Sequence, residues 1–302
     1  MASFGLVSQV ERDFVERGVD VGIRADGRAR DDYRPPRVEL GLVSQSDGSA
    51  RCQLGDGTDV LVSVRCELGQ ADPAADDRGR LAVSVECSPS ASQRFEGRGA
   101  DDLNTELSEA VTRALTGPQS GLNLRQLCIV PGMHCWVLNI DAIVLNYGGN
   151  VVDALLIATR AALADTRVPR TVVQEMEDGA MDFEVDDDVE NAQPLEHVHN
   201  VPLCVTANKI GAGYVLDATL TEELCASARL HVTVNSSGQV CAAQKSGDGA
   251  IEPSLLMAML QAAKEQARRL LEQQDEQIRR HETEIAAKRA RGEPVKRPSI
   301  FV

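Results

Sequence analysis

The feature that most constrains the fold is a continuous apolar stretch, residues 135–146, which Tyr-Gly-Gly-Asn separates from a second apolar stretch. The first stretch is β-favouring and apolar on both faces, which predicts a buried strand. Gly148 and Gly149 end it with a turn open to positive φ angles, and Asn150 stands at the N-cap of a helix predicted over roughly 151–165. Only three polar residues interrupt the apolar surface of this helix: Asp153, Thr159 and Arg160. We therefore expect the strand, turn and helix to form the core.

The glycine turn has two interpretations. A glycine-rich turn that leads into a helix N-terminus is a common phosphate site, because free backbone N–H groups and the helix dipole converge there. Such a site usually adds Ser, Thr, Lys or Arg, whereas this turn offers Tyr147, Asn150 and two valines, and Asp153 adds a negative charge. We favour the alternative, a tight turn that packs the helix on the sheet.

Composition restricts the class of protein. The formal net charge of −15 argues against broad nonspecific binding of nucleic acid by this chain alone, although it allows a local basic patch or a basic partner. No apolar run reaches transmembrane length and the N-terminus has no signal-peptide pattern, so we expect an intracellular, soluble protein without a membrane partner. The eight cysteines show neither a CxxC pair nor zinc spacing, and we expect buried free thiols.

The remaining patterns predict an α+β fold with two related lobes, each a set of antiparallel strands with a helix packed on one face. First-lobe strands are predicted at 37–43, 50–55, 59–67, 81–87 and 128–130, with a helix from Asp101, Asp102 or Thr105 to Gly117. Second-lobe strands are predicted at 202–208, 213–218, 228–235 and 239–245, with a turn at 221–223. We divide the chain into an N-terminal helix and lead-in (1–30), first lobe (31–175), acidic connector (176–199), second lobe (200–271) and charged helical tail (272–302).

The segments around the lobes leave alternatives open. A helix is predicted over 6–17 and one more strand over 168–176. Residues 175–190 carry nine acidic residues and no basic one; without the Asp-x-Asp-x-Asp-Gly order of a calcium loop, we favour a solvated connector over a cation site. His197 and His199 alternate like metal ligands, but no third ligand is apparent nearby. We therefore predict no metal and no cofactor.

A long helix is predicted to begin near Pro253, with a buried stripe of Leu255, Leu256, Met259, Leu260 and Ala263. From about residue 272 its sequence is almost wholly charged, so we expect that part to project beyond the fold. A loose basic tail, which includes Lys296 and Arg297, is expected to follow.

Seven short motifs, each weak alone, occur over about residues 20–265 in an order and spacing that resemble the RNase PH family. They are Gly22-Ile-Arg-Ala-Asp-Gly-Arg28, DGSA (47–50), GDGTDVLVSV (55–64), FEGRGADD (95–102), YGGNVVDA (147–154), NVPLCVTANKIG (200–211) and VLDATLTEE (215–223). Within the family, the chain is most similar to the non-catalytic type of ring subunit in the RNA exosome.

The resemblance implies a two-lobed RNase PH fold and a hetero-hexameric ring with a central RNA channel. The implied partners are paralogous ring subunits, RNA-binding cap subunits, single-stranded RNA in the channel and associated catalytic exoribonucleases. The implied role is RNA processing and degradation, including ribosomal RNA maturation and messenger RNA turnover. Its implied compartments are the nucleus, nucleolus and cytoplasm.

The resemblance also implies where catalysis would occur. Active family members degrade RNA from its 3′ end with inorganic phosphate, which they hold with a Gly-Thr-Arg or similar run, and they carry paired acids around a metal. Here the phosphate positions read Asn150, Val151 and Val152, and the acid pair reads Asp217 and Glu223, the second a departure from the expected Asp. Loss of the cationic clamp removes the main source of catalysis for phosphoryl transfer. We interpret Gly148, Gly149 and Asn150 as a degenerate phosphate turn. We interpret Asp217 and Glu223 as a degenerate remnant of the catalytic acid pair, and we expect the subunit to be inactive.

Three functions are compatible with the sequence: a structural, RNA-guiding ring subunit, a phosphorolytic or hydrolytic 3′ exoribonuclease, and a scaffold unrelated to RNA. We favour the first. Arg94 and Arg98, in the glycine-bearing loop 93–99, are candidate RNA contacts, because cations on the phosphates hold RNA in a channel. They could instead pair with Glu96, Asp101 or a neighbouring subunit.

Overall fold

The computed structural model describes residues 7–73, 75–117, 122–175, 181–186, 188 and 191–291. The first lobe is built on a six-stranded sheet with the order β1-β2-β3-β6-β4, in which β5 pairs with β6 outside this path. Its strands are β1 Pro36–Leu40, β2 Gly48–Leu54, β3 Thr58–Gln70, β4 Arg80–Cys87, β5 Cys128–Val130 and β6 His134–Asn146.

The antiparallel meander predicted for the first lobe is confirmed for β1, β2 and β3, and β6 pairs antiparallel to β3. β4 differs, because it runs parallel to β6, with Leu81 opposite Leu138 and Val85 opposite Ala142. Parallel neighbours need a crossover, and the helix α2, Asp101–Thr116, supplies it while packing on β4. The sheet is therefore mixed.

The second lobe carries a four-stranded antiparallel sheet with the order β12-β11-β13-β14. Its elements are β11 Leu203–Ile210, β12 Gly213–Leu216, α4 Leu220–Cys225, β13 Ala228–Val234, β14 Val240–Ser246 and the long helix α5 Pro253–Ala290. The predicted turn at 221–223 is wrong, since these residues belong to α4. Thr219 and Glu222 close a capping box there, which starts a helix that the short sequence pattern did not reveal.

The helix α3, Val151–Asp165, packs on β2 and β3 of the first lobe and on β11 of the second. Its predicted burial on nearly all sides is confirmed, and Asp153, Thr159 and Arg160 are buried as well. Buried charges need partners. Asp153 finds them in β11, and Arg160 finds them in the segment before β11 and in α5. The core helix thus also carries the polar contacts between the lobes.

The N-terminal helix α1 spans Gln9–Asp20, three residues later than the predicted 6–17. Ser8 sets the boundary: it accepts a hydrogen bond from the Glu11 amide, while the Glu11 carboxylate accepts one from the Ser8 amide. Val15 and Val19 bury one face of α1 in a small apolar cluster with Ile210 of the second lobe.

The segment between the lobes contains more strand than predicted. Instead of one strand over 168–176, there is a short β7, Arg167–Val168, that pairs with β10, Gln193–Pro194, and a hairpin of β8, Thr171–Glu175, with β9, Met181–Val185. Pro169, which has no N–H to donate, separates β7 from β8. Part of the acidic stretch is therefore a hairpin strand, and the acids of β9, Asp182 and Glu184, are exposed as expected for a solvated connector. Residues 176–180, 187 and 189–190 lie outside the described residues.

The predicted projection of the last helix beyond residue 272 is wrong for its first two turns. Gln274 of α5 is buried, donates to the Ile157 carbonyl and accepts from Arg160, which also pairs with Asp275. The sequence pattern did not predict this contact, because the residues of α5 that make it are polar: they bind the buried guanidinium of Arg160. The predicted basic tail with Lys296 and Arg297 lies outside the described residues.

All eight cysteines are free thiols, five buried and three half-buried. Among the described residues, no helix has the length and apolar character needed to cross a membrane.

The fold predicts a large stability loss for Arg160→Ala. The guanidinium is fully buried and donates to the Val201 and His199 carbonyls besides Gln274 and Asp275. Leaving a buried acceptor without its donor costs about 1–3 kcal/mol, so the loss of several such donors at once costs about 3–5 kcal/mol. We expect a fall of this size in the free energy of unfolding, measured by urea denaturation.

Arg268→Ala is the matched control, because Arg268 lies on the exposed side of α5 and pairs with Glu272 there. Such a surface pair contributes about 0.5 kcal/mol or less. Equal effects of the two substitutions would show that Arg160 does not join α3 to α5 energetically.

Candidate functional site

The glycine turn lies where loops of both lobes converge. Gly148 packs against Gly57 of the β2–β3 turn so closely that an added Cβ would lie 2.4 Å from the Gly57 carbonyl carbon. Gly149 has φ +89°, and a Cβ there would lie 2.6 Å from the Ala218 carbonyl oxygen. Thr58 donates its hydroxyl to the Gly149 carbonyl from the same side. Close packing therefore requires glycine at both positions.

Asn150 precedes α3 but does not cap it with its side chain, so that part of the prediction is wrong. Its backbone is left-handed, with φ 61°. This directs the side-chain amide away from the helix, where it donates to Asp217 Oδ1 at 2.7 Å and to the Tyr33 hydroxyl at 3.2 Å. The Asn150 side chain therefore links the two lobes.

Asp217 is fully buried and accepts hydrogen bonds from three residues of distant segments. Arg34 donates from Nε at 2.8 Å, Nη2 at 2.7 Å and its backbone amide at 2.8 Å. Arg28 Nη1 adds a bond at 2.8 Å, and Asn150 adds the bond described above. Burial alone would raise the pKa of Asp217, but the hydrogen bonds and positive charge of Arg34 outweigh it and hold that pKa below its ordinary value.

A second buried ion pair stands beside the first. Arg24 donates to the Glu222 carboxylate from Nε and Nη2, at 2.8 and 2.6 Å. The same guanidinium donates to the Leu216 and Asp217 carbonyls. The lead-in to the first lobe thus contributes three arginines, Arg24, Arg28 and Arg34, which bind residues at the end of β12 and the start of α4. We call Arg24, Arg28, Arg34, Asp217 and Glu222 the arginine–acid cluster.

Glu223 lies at the N-terminus of α3, although it belongs to α4. Its Oε1 accepts from the Asn150 backbone amide at 2.8 Å, and its Oε2 accepts from the Tyr147 hydroxyl at 3.1 Å. Arg229 Nη2 lies 4.0 Å from Oε2. The N-terminal end of a helix favours an anion, and here the anion is a carboxylate of the chain itself.

Asp153 is the third acid near the turn, and its role was not predicted. It accepts from the Thr206 amide at 2.9 Å and hydroxyl at 2.7 Å, and from the Tyr33 hydroxyl at 3.1 Å. Burial raises the pKa of Asp153 to about 6, although the hydrogen bonds from Thr206 lower it. The sequence placed Asp153 in the first turn of a buried helix, but it did not show that this side of α3 faces the second sheet.

A cavity of 320 Å³ lies between α2, α3 and the second sheet, next to Glu223. His231 lies on its wall, with Nδ1 2.9 Å from the Thr206 hydroxyl and Nε2 3.2 Å from Ser246 Oγ. Burial and the charges of Arg229 and Arg113 lower the pKa of His231 to about 4, so its ring is neutral at pH 7.

Arg94 and Arg98 lie in a loop beside this turn. Arg94 belongs to a one-turn helix, Gln93–Phe95, whose Phe95 ring meets the Tyr147 ring edge-on, with 5.4 Å between centroids. Arg94 is half-buried, and Arg98 is exposed. The structure thus brings the loop next to the glycine turn. Whether the two arginines contact RNA stays a prediction.

The acids of the site are bonded to other residues of the chain. Asp217 and Glu222 are bonded to arginines, and Glu223 is bonded to the helix end. Within the described ranges, no group of three or more His, Cys, Asp or Glu side chains could hold a metal ion. These acids therefore join segments of the chain, and a bound cation would have to displace arginines from them.

Sequence reasoning did not assign a role to Arg24, Arg28, Arg34 or Tyr33, although the first two lie in a motif that carried the family resemblance. One signal was available: the segment 21–35, which leads into the first strand, contains four arginines in a chain of strong negative charge. When basic residues are concentrated in one segment of an acidic chain, that segment is expected to bind acidic side chains. The partners of these arginines lie almost two hundred positions away, so spacing could not identify them.

Comparison with known proteins gives a consistent result. Residues 32–169 match the model of domain 1 of the 3′ exoribonuclease family, RNase PH, and residues 200–266 match its domain 2. The chain is 38% identical over 304 aligned residues to a Dictyostelium discoideum protein named for the exosome complex exonuclease RRP42, covering 85% of this chain and 93% of the relative. It is 36% identical to the exosome complex component Rrp42 of Methanopyrus kandleri, covering 87% and 94%.

Solved structures agree. An Archaeoglobus fulgidus exosome chain, from a structure with RNA bound to the active site, superposes with a TM-score of 0.74 at 29% identity, covering 87% of this chain and 97% of that chain. A chain of an archaeal exosome core superposes with a TM-score of 0.71 at 27% identity, covering 88% and 96%.

The geometry of the site predicts that Asp217→Asn destabilises the protein by about 3–5 kcal/mol at pH 7, because it leaves Arg28 and Arg34 buried against a neutral amide. The folded pKa of Asp217 is depressed, so its stabilisation is present above the unfolded pKa of about 3.9 and is lost as pH falls through the folded value. Urea denaturation of wild type and variant at several pH values should show two curves that converge below about pH 4.

Asp59→Asn is the control, since Asp59 pairs with Arg51 nearer to the surface. Its cost at pH 7 should be smaller, about 1 kcal/mol. A gap between wild type and Asp217→Asn that does not depend on pH would contradict the electrostatic role of Asp217.

Proposed function

Because the chain belongs to the 3′ exoribonuclease (RNase PH) family, we propose that it is a non-catalytic ring subunit of an RNA exosome. In this role it helps to form the channel that guides RNA to 3′-to-5′ processing and degradation, including ribosomal RNA maturation and messenger RNA turnover. The relatives support this role, since archaeal ones are named as exosome components and the chain covers over nine-tenths of their length.

The partners follow from the same comparisons. The solved neighbours are chains of exosome cores, and one of those structures contains RNA. The chain is a subunit of a multi-subunit ring, beside other RNase PH-like subunits, with RNA-binding caps and associated exoribonucleases. A formal net charge of −15 favours less acidic neighbours over copies of the same chain, which supports a hetero-hexamer.

One observation carries the proposal that the subunit does not catalyse: Glu223 occupies the N-terminus of α3. Phosphorolysis needs inorganic phosphate in a cationic clamp, and the resemblance locates that clamp at this helix end. Here the Asn150 amide donates to Glu223, and the next two residues, Val151 and Val152, have no side-chain donor. A phosphate ion would meet a carboxylate at the place where it needs cations.

The acid pair supports the same proposal. Asp217, at the first acid position, is enclosed by Arg28, Arg34 and Asn150 with no exposed surface. In the described part of the chain, the remnant acids Asp217 and Glu223 are bonded to other residues, and a metal ion would have to displace those residues.

RNA contact is proposed for the loop with Arg94 and Arg98. Arg98 is exposed, and Gly97 beside it has no neighbour within 4 Å of where a Cβ would lie, so the backbone there is open to an RNA strand. Single-stranded RNA in a channel binds chiefly through phosphate contacts to cations. The proposed compartments are the nucleus, nucleolus and cytoplasm, and eight free thiols fit a reducing environment.

The first test is enzymatic. The purified chain, given single-stranded RNA, inorganic phosphate and Mg²⁺, should release no nucleoside diphosphates, because the helix end that would hold phosphate already holds Glu223. Chromatography of the products measures this, with an active phosphorolytic member of the family as positive control.

The same assay without phosphate examines the second candidate activity, hydrolysis, which would release nucleoside monophosphates. The exonuclease name of the Dictyostelium relative makes this comparison necessary. Phosphate-dependent release of diphosphates would overturn the non-catalytic assignment, and phosphate-independent release of monophosphates would assign hydrolysis to this chain.

The second test concerns RNA binding. In an assembled ring, Arg94→Ala with Arg98→Ala should weaken RNA affinity and reduce the slope of log affinity against log salt by about 0.7 for each lost phosphate contact. Fluorescence anisotropy at several salt concentrations measures both effects.

Arg279→Ala with Arg280→Ala removes two exposed arginines from α5 and serves as the matched control. Size-exclusion chromatography must show an intact ring in each case. Unchanged RNA affinity in an intact ring would exclude the loop from the RNA path, and loss of the ring would assign these arginines to a subunit interface.

A further inference from the structure

Two cysteines stand directly opposite each other in the first-lobe sheet. Cys128 begins β5 and Cys135 lies near the start of β6, and the two residues are register partners in the antiparallel pair of these strands. All eight cysteines lie within the described residues, and no other two of them are register partners in neighbouring strands. We call Cys128 and Cys135 the cysteine pair.

The strand register places the cysteine pair within disulfide distance. Residues directly opposite in an antiparallel pair have Cα atoms about 4.5 or 5.5 Å apart, with side chains on the same face of the sheet. A disulfide joins cysteines whose Cα atoms are about 4.4–6.8 Å apart. The pairing of β5 with β6 is irregular between Cys128 and Val130, and β5 has only three residues. This short strand can make the small shift that brings the two sulfur atoms into bonding distance.

The two thiols also interact electrostatically. Burial raises the pKa of Cys128, and a negative charge on Cys135 raises it further. The carboxylates of Asp77 and Asp76 act in the same direction. The effect of Cys135 requires that its sulfur lie near Cys128, which agrees with the strand register. Cys128 is therefore mainly a protonated thiol at pH 7.

The two thiols differ in their access to solvent. Cys128 is half-buried, whereas Cys135 has no exposed surface. Cys128 Sγ donates to the Asp76 carbonyl at 3.7 Å, and Cys135 Sγ donates to the Gln70 carbonyl at 3.5 Å. A reagent in solution therefore reaches Cys128 first, and Cys135 reacts with a group that is already attached to Cys128.

From the strand register, the proximity of the thiols and their unequal exposure, we infer that the cysteine pair is a redox site that small-molecule disulfides oxidise to an internal disulfide. The Cys128 thiolate attacks one sulfur of the small disulfide, which forms a mixed disulfide and releases one small thiol. The Cys135 thiolate then attacks the Cys128 sulfur and displaces the second small thiol. The protein loses two electrons and two protons, and the small disulfide gains them.

The inference goes beyond the ring role, since it requires neither RNA nor a ring neighbour. Where thiols are kept reduced, disulfides of this kind are transient and redox-sensing. The bond would join β5 covalently to β6, the strand between β3 and β4 in the first-lobe sheet.

Oxidised glutathione and mass spectrometry test the inference on the folded, full-length chain. After reaction, the remaining thiols are alkylated in urea at mildly acidic pH, where exchange is slow. Trypsin then leaves Cys128 and Cys135 together in peptide 126–160, which contains no other cysteine. We expect this peptide to lack two hydrogen atoms and to carry neither alkyl groups nor glutathione. The initial rate should rise about tenfold from pH 7 to pH 8, because the attacking form of Cys128 is the thiolate.

Single substitutions separate the two steps. Cys135→Ser removes the second thiol, so Cys128 should keep a stable glutathione adduct. Cys128→Ser removes the thiol that reacts first, so Cys135 should stay a free thiol. Cys66→Ser is the matched control, because Cys66 is also half-buried in a strand and the residue opposite it is Leu138. It should leave the internal disulfide unchanged.

Three results in the wild-type chain would overturn the inference. These are a peptide 126–160 that remains a dithiol, one that keeps a glutathione adduct on Cys128, or a disulfide that joins two molecules. Circular dichroism should report a folded chain for each variant. Because Cys135 is fully buried, its substitution is the one most exposed to misfolding, and in that case the wild type and Cys128→Ser together decide the outcome.

Discussion

The buried carboxylate of Asp217 is the interaction on which the site depends. It lies at the end of β12, and it binds two arginines of the lead-in and the Asn150 side chain at the start of α3. Three segments that are distant in sequence are thus fixed on one charge. A carboxylate without partners at this depth would be strongly destabilising, so the arginines and the acid require each other. The position of the glycine turn against the second lobe follows from this contact.

The same contact determines what the Asp217 carboxylate can bind. A catalytic carboxylate must be able to reach a metal ion, a proton or a substrate. The Asp217 carboxylate has its acceptor sites filled by Arg28, Arg34 and Asn150. Glu223 behaves in a similar way, because its carboxylate binds the α3 amide and the Tyr147 hydroxyl. In both cases, the carboxylate joins segments of the two lobes.

Local sequence patterns predicted the buried elements, because burial requires an apolar or alternating sequence that can be recognised. The strand β6, the helix α3 and the antiparallel strands of both lobes are continuous apolar or alternating segments, and the structure contains them. Short elements with polar sequences were missed, such as α4, which depends on a capping box at Thr219, and β9, which depends on pairing with β8. Polar contacts over long separations could not be predicted. The burial of Gln274 needs Arg160, and the conformation of Asn150 needs Asp217.

The helix α3 makes these long-range contacts mutually dependent. Its N-terminal end meets Asn150, Glu223 and the arginine–acid cluster, and near its middle Arg160 binds α5 and the segment that leads into β11. A helix buried on all sides cannot shift to suit one contact without disturbing the packing of both sheets. A change at this end of α3 that moved Glu223 would therefore also move α4 and the cluster that holds the lead-in. For that reason, we expect a substitution at the glycine turn to disturb the packing of both lobes and not the turn alone.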